Sequence, residues 1–398
     1  MPWMIREDQL DPDQREFINS ETKKTGNIWV QGFAGSGKSV LLIHSLKETL
    51  KKEPNASVAI VVYTQSLIEM FKTGLKELNI KSTVPVMTYY DFVDKTSQKY
   101  DYVFCDEVQD LPAKALYALK TKARKVIVAG DSHQSIYDTD PKWFENVIDP
   151  DQVGEIINAR PFVLNIIHRL TRSIISAVQK LFPSMNIWGA KRDLTKQDVN
   201  IRLCEASNEN EEVKYIYQEA MKATAIGDTC AILLPTHKTI LKFVSILLTL
   251  NNKPDWKFKP VRWDEDKPRE KQRPDYDSLN NYFRSNSLKI QYVGNNHGSF
   301  SGAESNKDVI IMTYHSSKGI DFDNVFMPFL NNSLYISPRK EKTLFMVALT
   351  RSRKNLYLTY FGYTHDLVDE FKSECTEIQI SEIIDQRSSS KRNTNFDF

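Results

Sequence analysis

The sequence feature that most constrains the fold is a glycine-rich stretch between an apolar strand-like run and an apolar helix-like run. Residues 31–39 read Gln-Gly-Phe-Ala-Gly-Ser-Gly-Lys-Ser and fit the pattern G-x-x-x-x-G-K-[ST]. Residues 27–30 are typical of a buried strand, and residues 40–43 continue as an apolar helix face. A glycine-rich turn between such elements directs backbone N–H groups and a helix N-terminus at a phosphate.

The stretch therefore predicts a nucleotide phosphate-binding loop. The alternative, a Gly/Ser-rich linker, does not explain the correctly placed strand and helix. Lys38 is expected to reach the β- and γ-phosphates of ATP, and Ser39 to hold Mg²⁺. The predicted ATP-binding residues of the loop are Gly32, Ala34, Gly35, Ser36, Gly37, Lys38 and Ser39.

The composition indicates an ordinary globular protein large enough for two or three domains. Of 398 residues, 41% are hydrophobic and 26% charged, and the net charge of +2 neither demands nor excludes a nucleic-acid partner. The four cysteines are far apart and lack C-x-x-C spacing, which favours free thiols in a reducing cytosol. With no secretion signal at the N-terminus and no apolar run long enough to cross a bilayer, we expect a cytoplasmic location without membrane contact.

Two successive series of alternating strands and helices predict an α/β fold with parallel sheets flanked by helices. We expect a first domain over residues 1–150, a second over 151–384 and a flexible tail over 385–398. Strands of the first series are predicted at 27–30, 57–63, 102–105 and 125–129. Those of the second are predicted at 200–204, 229–234, 309–313, 325–328 and 356–360, with helices at 211–223, 239–250 and 343–351.

The charged, proline-rich segment at about 251–286 predicts an exposed insertion in the second domain. Trp256, Phe258 and Trp263 alternate with basic residues there. This pattern is compatible with a stacking surface for nucleic acid or with a loop anchored by its aromatic residues. The acidic run at 264–266 dilutes the positive charge and favours the loop.

Residues 102–110 predict the catalytic half of the ATP site. An apolar strand ends here in the adjacent carboxylates Asp106 and Glu107. Asp106 is placed to hold Mg²⁺ and Glu107 to orient and deprotonate the attacking water. An acidic cluster at a helix N-terminus is the alternative, but the position after a buried strand favours catalysis.

A third strand end, at residues 125–134, carries Gly-Asp followed closely by Gln134. A neutral amide at that position can hydrogen-bond a γ-phosphate and respond to its loss. The alternative is a surface turn capped by Asp131 and Ser132.

Several motifs occur in the order typical of the UvrD/Rep/PcrA branch of superfamily 1 helicases, and the chain resembles that family in them. They include Asp-Glu-x-Gln-Asp at 106–110, Gly-Asp-x-x-Gln-Ser-Ile-Tyr at 130–137 and Val-Ala-Leu-Thr-Arg at 347–351. Further matches lie at 10–14, 62–64, 87–92, 165–169 and 312–322. The resemblance implies two RecA-like (P-loop NTPase) domains with the ATP site in the cleft between them.

The resemblance also implies roles for individual residues. Gln14 would read adenine, His168 would stack on it and Asp321 would contact the ribose. Arg169 and Arg351 would reach the γ-phosphate from the second domain, where an arginine finger can supply about 10³–10⁵ in rate. The implied nucleic-acid contacts are Thr64, Thr88, Tyr89, Thr139, His315 and Ser316.

The chain departs from the family in two respects. Only 42 residues separate Thr64 from Asp106, and 144 separate Arg169 from Thr313, so the large accessory insertions have no room. Thr139 also stands where the family usually has a base-stacking tryptophan. Trp143 either replaces that tryptophan or is a buried core residue.

These features predict an ATP-driven translocase or helicase on single-stranded nucleic acid, with DNA favoured over RNA and any unwinding dependent on a protein partner. The alternative is a nucleotide-gated, nucleic-acid-sensing ATPase subunit of a larger repair or defence complex, without unwinding of its own. An RNA-directed enzyme is a weaker third possibility, because no motif reads the 2′-OH.

Overall fold

The computed structural model describes residues 4–80, 83–140, 142–185, 191–192, 197–268, 272–336 and 340–383. The chain divides into two compact units. The first comprises Met1–Leu170 with Asn186–Lys196, and the second comprises Thr171–Met185 with Gln197–Phe398. The predicted flexible tail at 385–398 lies outside the described residues.

The first unit is built on a parallel sheet of six strands in the order β3-β2-β4-β5-β1-β6. Its strands are β1 (Asn27–Gly32), β2 (Val58–Val62), β3 (Val86–Thr88), β4 (Tyr100–Cys105), β5 (Ala123–Gly130) and β6 (Ala159–Leu164). Its helices are α1 (Pro12–Asn19), α2 (Lys38–Lys52), α3 (Gln65–Glu77), α4 (Tyr89–Asp94), α5 (Ala113–Lys122) and α6 (Val153–Ile156). The short strand β7 (Ile166–Ile167) pairs with β8 (Lys191–Arg192).

The central strands of this sheet are largely apolar, since parallel strands are covered by helices on both faces. All five residues of β2 are buried, as are the last six of β5. The polar residues that end these strands therefore meet at the carboxyl edge of the sheet, where ligands of open α/β sheets bind.

The second unit contains a parallel sheet of seven strands in the order β11-β12-β10-β13-β14-β9-β15. Its strands are β9 (Asn200–Ala206), β10 (Cys230–Leu234), β11 (Ile290–Tyr292), β12 (Val309–Thr313), β13 (Phe322–Met327), β14 (Ser352–Phe361) and β15 (Thr376–Gln379). Its helices are α7 (Arg172–Leu181), α8 (Glu209–Ala225), α9 (His237–Leu250), α10 (Tyr276–Ser285), α11 (Phe300–Asn306), α12 (Glu341–Leu349) and α13 (Asp366–Asp369). The predicted class, two α/β domains with parallel sheets, is confirmed.

The first unit extends beyond residue 150, where the sequence predicted its end. Strand β6 pairs in parallel with β1 from Asn27↔Ala159 to Gly32↔Leu164, so the chain between 151 and 170 belongs to the first sheet. Strand β6, with the sequence Ala-Arg-Pro-Phe-Val-Leu, gave no clear boundary in the sequence, because it lies at the sheet edge and is only partly buried.

The segment at 251–286 is not one exposed insertion, and the prediction is wrong for residues 276–285. These form α10, which buries Tyr276, Leu279 and Phe283. In the preceding part the fully buried carboxylate of Asp264 accepts hydrogen bonds from the Arg273 guanidinium, which lower the pKa of Asp264. Nothing in the described part of the chain is a helix with the length and apolar character needed to span a membrane.

Candidate nucleotide-binding and catalytic site

The phosphate loop connects β1 to α2 as predicted and depends on two glycines with left-handed backbone. Gly35 has φ +77° and Gly37 has φ +81°, conformations that other residues rarely adopt. A Cβ atom on Gly35 would lie 2.4 Å from the Cβ of Arg169, and one on Gly37 would lie 2.4 Å from Nε2 of Gln14. The glycines therefore allow both the turn and the close approach of two predicted site residues.

Lys38 begins α2 and is buried against the loop that precedes it. Its ammonium donates hydrogen bonds to the carbonyl oxygens of Gly32 at 2.8 Å and Phe33 at 3.0 Å. Burial lowers the pKa of Lys38, while the nearby carboxylates of Asp131, Glu107 and Asp106 oppose that shift. An anion bound in the loop would add a further opposite charge and favour the protonated form.

Ser39 and Asp106 come from different elements and meet directly. The Ser39 hydroxyl donates to Oδ2 of Asp106 at 2.6 Å, although the residues lie on α2 and just after β4. Burial and the charge of Glu107 raise the pKa of Asp106, so a cation here would relieve the repulsion between the two carboxylates. A hydroxyl and a carboxylate oxygen are ligands that Mg²⁺ prefers, and this pair fits the predicted metal site.

The loop also contains a buried polar atom suited to a ligand. Ser36 is fully buried, and its hydroxyl makes no hydrogen bond to any residue within the described ranges. Buried polar groups in native proteins are nearly always satisfied, so this hydroxyl fits a site that is completed by a bound phosphate or water.

Glu107 has a left-handed backbone, with φ +55° and ψ +41°. This conformation is uncommon for a residue other than glycine, and such strain is concentrated at functional sites. The Glu107 N–H donates to Oδ1 of Asp106 at 3.0 Å, which stabilises the turn locally. The strained turn ends β4 abruptly and sets the two adjacent carboxylates in fixed positions.

Gln109 is a site residue whose role the sequence did not predict, although it was quoted within the Asp-Glu-x-Gln-Asp motif. Its Nε2 donates to Oε2 of Glu107 at 2.6 Å, and its Oε1 accepts from the backbone N–H of Asp131 at 3.2 Å. Because the side chain is fully buried, it is a fixed bridge between the end of β4 and the end of β5. The only indication in the sequence was that this amide side chain lies two residues after Glu107, the predicted general base.

The end of β5 carries Gln134, the residue predicted to contact the γ-phosphate. The Asp131 carboxylate accepts from the N–H of His133 and opens a single helical turn, Ser132–Gln134. Gln134 is buried within that turn, and the ring of His133 stacks on that of Phe33 in the phosphate loop, with centroids 5.4 Å apart. Gln134 therefore lies in a turn that is packed against the phosphate loop.

The predicted adenine-binding residues also converge on the phosphate loop. Gln14 donates to the Ser36 carbonyl at 3.3 Å, and its Oε1 accepts from the backbone N–H of Asp11 at 3.1 Å. The His168 ring bonds to Oδ2 of Asp11, while its backbone N–H donates to the Gly35 carbonyl at 2.9 Å. Asp11, for which no role was predicted, therefore connects these two residues.

The prediction that Arg169 comes from the second domain is wrong. Arg169 belongs to the first unit, and its backbone N–H donates to the Gly35 carbonyl at 3.2 Å. Its positive charge contributes to the lowered pKa of Lys38. The reason is the chain path, because β6 runs beside β1 and delivers residues 165–169 to the phosphate loop.

Arg351 and Asp321 are brought together within the second unit. Arg351 is 1% exposed, and its guanidinium donates to the Val347 carbonyl at 2.7 Å and to the Thr350 hydroxyl at 2.9 Å. Its Nη1 lies 3.7 Å from Oδ1 of Asp321. The assigned roles of these residues toward the γ-phosphate and the ribose stay predictions.

The residues predicted to contact nucleic acid follow strand ends in both units. In the first unit, Thr64 and Thr88 use their hydroxyls as N-caps of α3 and α4, and the hydroxyl of the buried Tyr89 donates to Asp140 at 2.6 Å. Thr139 is exposed and pairs with Asn146 in an isolated antiparallel bridge. Because these side chains are hydrogen-bonded within the protein, we expect the backbone of the strand-end turns to make the contact with nucleic acid.

The predicted contacts of the second unit follow β12. Ser316 is buried and its hydroxyl accepts from that of Thr313 at 2.9 Å. Burial, together with the neighbouring His237 and Lys318, lowers the pKa of the partly buried His315 to about 4. A neutral imidazole at this edge can donate or accept a hydrogen bond.

Comparison with known proteins gives matches in both halves of the chain. Residues 261–363 match the UvrD-like helicase C-terminal domain, and residues 28–211 match the viral superfamily 1 RNA helicase core domain. The ATP-dependent DNA helicase PcrA of Staphylococcus epidermidis (strain RP62A) is 24% identical over 240 residues, 55% of this chain and 32% of the relative. PcrA of Staphylococcus aureus (strain Mu50) is 24% identical over 241 residues, 54% and 31% of the two chains.

The chain therefore spans about a third of the length of these curated relatives. Among solved structures, a PRRSV helicase has a TM-score of 0.42 at 13% identity, covering 86% of this chain and 54% of that one. An arterivirus nonstructural protein 10 (helicase) in complex with DNA has a TM-score of 0.41 at 13% identity, covering 90% and 65%.

The phosphate loop and the acidic pair define a P-loop nucleotide-binding protein of the α/β class. Within that class, the matches to both halves confirm the similarity to UvrD-like superfamily 1 helicases that the motifs predicted. Proteins of these helicase families hydrolyse nucleotides and use ATP, typically with Mg²⁺.

Proposed function

We propose that this chain is a magnesium-dependent ATPase that moves along single-stranded nucleic acid, with DNA favoured over RNA. The observation that carries the proposal is the 2.6 Å hydrogen bond between Ser39 and Asp106, with the strained Glu107 directly beside it. This arrangement combines a phosphate loop, a metal-binding pair and a candidate base. The similarity to PcrA, a DNA helicase, supports DNA, whereas the match to a viral RNA helicase core supports RNA.

In the proposed reaction, Lys38 transfers its ammonium from the loop carbonyls to the phosphates of ATP. Ser39 and Asp106 would hold Mg²⁺, whose charge offsets the charge developing on the phosphates. Glu107 accepts a proton from the attacking water while Gln109 holds its carboxylate in orientation. Gln134 is proposed to hydrogen-bond the γ-phosphate and to change its contacts when that phosphate leaves.

The remaining nucleotide contacts are proposed from the convergence at the phosphate loop and from the family resemblance. Gln14 and His168 would recognise adenine, and Arg169 and Arg351 would neutralise charge on the γ-phosphate. Asp321 would contact the ribose. We place the protein in the cytoplasm on the basis of its four free cysteines, and we propose that strand separation requires a protein partner.

The first test is the ATP hydrolysis rate with and without single-stranded DNA or RNA, measured at about 50 and 200 mM salt. We expect strong stimulation by one polymer, which identifies its substrate, and a weaker effect at the higher salt. The matched variants are Glu107→Gln, which should abolish the stimulated rate, and Glu155→Gln, which changes an exposed glutamate on α6 and should not.

Two outcomes would contradict the proposal. If Lys38→Ala hydrolysed ATP at the same rate as the parent, the assignment of the nucleotide site would be overturned. A rate indifferent to both polymers would overturn the motor and favour a nucleotide-gated subunit triggered by a protein.

A further inference from the structure

Phe144 is an exposed aromatic residue held in an unfavourable backbone conformation. Its side chain is 80% exposed, and its φ is +58°, in the left-handed region. Among the large exposed hydrophobic residues of the described segments, no other has a positive φ. Because so little of the ring is buried, packing within the unit does not explain why a bulky residue is retained here.

The turn that carries Phe144 is rigidly built around the fully buried carboxylate of Asp140. This carboxylate accepts from the Tyr89 hydroxyl at 2.6 Å and from the N–H groups of Lys142 at 2.9 Å and Trp143 at 2.7 Å. The Phe144 N–H donates to the Asp140 carbonyl at 3.0 Å. The backbone that carries the ring is therefore held in place, which reduces the entropy lost when the turn binds a ligand.

The neighbouring Trp143 supports the turn from inside. Its ring packs edge-on against Tyr89 and Tyr90, with centroids 5.7 and 5.0 Å away, and it is only partly exposed. Trp143 therefore acts as a core residue of the turn, and Thr139 is held by its pairing with Asn146. Of these residues, Phe144 presents the most exposed ring.

The position and charge of the turn indicate the chemistry of its ligand. The turn follows β5 and is bonded to Tyr89, at the same sheet edge as the predicted nucleic-acid contacts Thr64 and Thr88. The lysines near Trp143 are Lys114 and Lys142, and both are paired with Asp94, at 4.0 and 2.6 Å. Asp94 thus offsets one of these two positive charges, and the most exposed group of the turn is the uncharged ring of Phe144, which suits contact with a base.

We propose that Phe144 is a base-stacking residue, whose ring packs against an unpaired base of the single strand that the protein moves along. The inference rests on the proposed function and assigns one of its contacts. Stacking on an aromatic side chain tolerates any base, because every base has a π-face. The residue supplies affinity without sequence preference, as a motor requires.

The test is equilibrium binding of fluorescent oligo-dT and oligo-U to the whole chain at several salt concentrations. Phe144→Ala is expected to raise Kd by about 10-fold. The slope of log Kd against log salt should stay parental, since no phosphate contact is lost. Phe144→Trp should restore the affinity, and Tyr117→Ala, which removes a 55% exposed ring from α5, should bind like the parent.

Two further readouts separate a binding role from a structural one. Phe144→Gly removes the left-handed strain, so its thermal unfolding midpoint should lie at or above the parental value while its Kd rises as for alanine. An oligonucleotide carrying 5-iodouracil should crosslink to residue 144 on irradiation.

Three results would overturn the assignment. If the parent binds the oligonucleotides and Phe144→Ala binds them with the same affinity, base stacking by Phe144 is refuted and the proposed function is not. The exposed ring would then be a contact for a protein. A lower unfolding midpoint for Phe144→Gly would indicate a structural role. Failure of the parent to bind either oligonucleotide would refute the proposed function as well.

Discussion

The backbone of Glu107 sets the geometry of the catalytic pair. A left-handed glutamate costs on the order of 1 kcal/mol, and it is retained here because Asp106 accepts its N–H and Gln109 donates to its carboxylate. The strained backbone thus belongs to a residue whose carboxylate is already held by its neighbours before substrate binds. Such preorganisation is expected of a general base.

Glu107→Gln keeps the shape of the side chain but removes its ability to accept a proton. We expect kcat to fall by about 10²–10⁴, while ATP affinity changes little because binding rests on the phosphate loop. Phosphate release and fluorescent-nucleotide binding measure the two quantities. Loss of ATP binding together with hydrolysis would show that Glu107 holds the nucleotide and is not the base.

Gln109→Ala tests the bridge between the ends of β4 and β5. It leaves the Asp131 N–H without its acceptor and removes the hydrogen bond that orients the Glu107 carboxylate. We therefore expect kcat to fall about tenfold while KM stays nearly constant. The free energy of unfolding should fall by about 1–3 kcal/mol.

Gln109→Glu is the matched variant, because its carboxylate can still accept from Asp131 but cannot donate to Glu107. It should therefore lose activity to a similar extent. A parental kcat in this variant would show that the donation to Glu107 does not matter.

These residues illustrate what the sequence could predict of the site. Lys38 and Ser39 were predictable because spacing within one strand-turn-helix unit fixes their positions, and Asp106 was predictable because it directly follows an apolar strand. Gln109 and Asp11 were not, since their roles depend on side chains that reach across to other elements. Arg169 was assigned to the wrong unit because β6 pairs with β1, a strand that lies far from it in the sequence. Local sequence patterns do not show such a pairing.

At the level of elements, the strands easiest to predict are apolar runs of five or more residues that are buried on both faces. β2, β10 and β12 are buried along their entire length and appear as continuous apolar runs. The strands that the sequence missed include β3 and β11, which have three residues each and each lie at an edge of their own sheet. It also missed α10, because the charges around this helix concealed its single apolar face.

Helix α8 is tied to its sheet by a buried acid, and this contact predicts a pH dependence. Oε1 of Glu212 accepts from the Phe329 N–H at 2.6 Å and from the Thr359 hydroxyl at 2.5 Å. Burial raises the pKa of Glu212 to about 7. The folded state therefore binds this proton more tightly than the unfolded state does, and the contribution of Glu212 to stability declines as pH rises from about 4.5 to 7.

Glu212→Gln removes this titration while keeping the acceptor oxygen. Relative to the parent, its free energy of unfolding should increase by about 2 kcal/mol between pH 5 and pH 8. Urea unfolding at the two pH values measures the difference. Glu265→Gln, at an exposed position of the same unit, should parallel the parent; parallel behaviour of Glu212→Gln itself would contradict the burial argument.

On the scale of the whole molecule, the chain passes between the two units three times, after Leu170, Met185 and Lys196. The sequence predicted a single passage near residue 150. Composition can indicate a linker between domains, but it does not indicate that the chain later returns to the first unit. Each unit has its own sheet and core, so we expect two unfolding transitions rather than one.

The role proposed for Arg351 requires the second unit to contribute to nucleotide binding, and hydrogen exchange can test it. A ligand protects the parts it contacts, by about 2.7 kcal/mol at a hundredfold excess over Kd. ADP should therefore slow exchange in the first unit only, around the phosphate loop and the start of α2. A non-hydrolysable ATP analogue should also slow exchange in the second unit, around α12 and the start of β14.

Variants assign that protection to single residues. Arg351→Ala should remove only the protection of the second unit, and Lys38→Ala should remove all of it. Arg353→Ala, which changes a partly exposed arginine two residues away, should leave both effects intact. If the ATP analogue protects the same amides as ADP in the parent, Arg351 does not contact the γ-phosphate, and the coupling of hydrolysis to movement must use other residues.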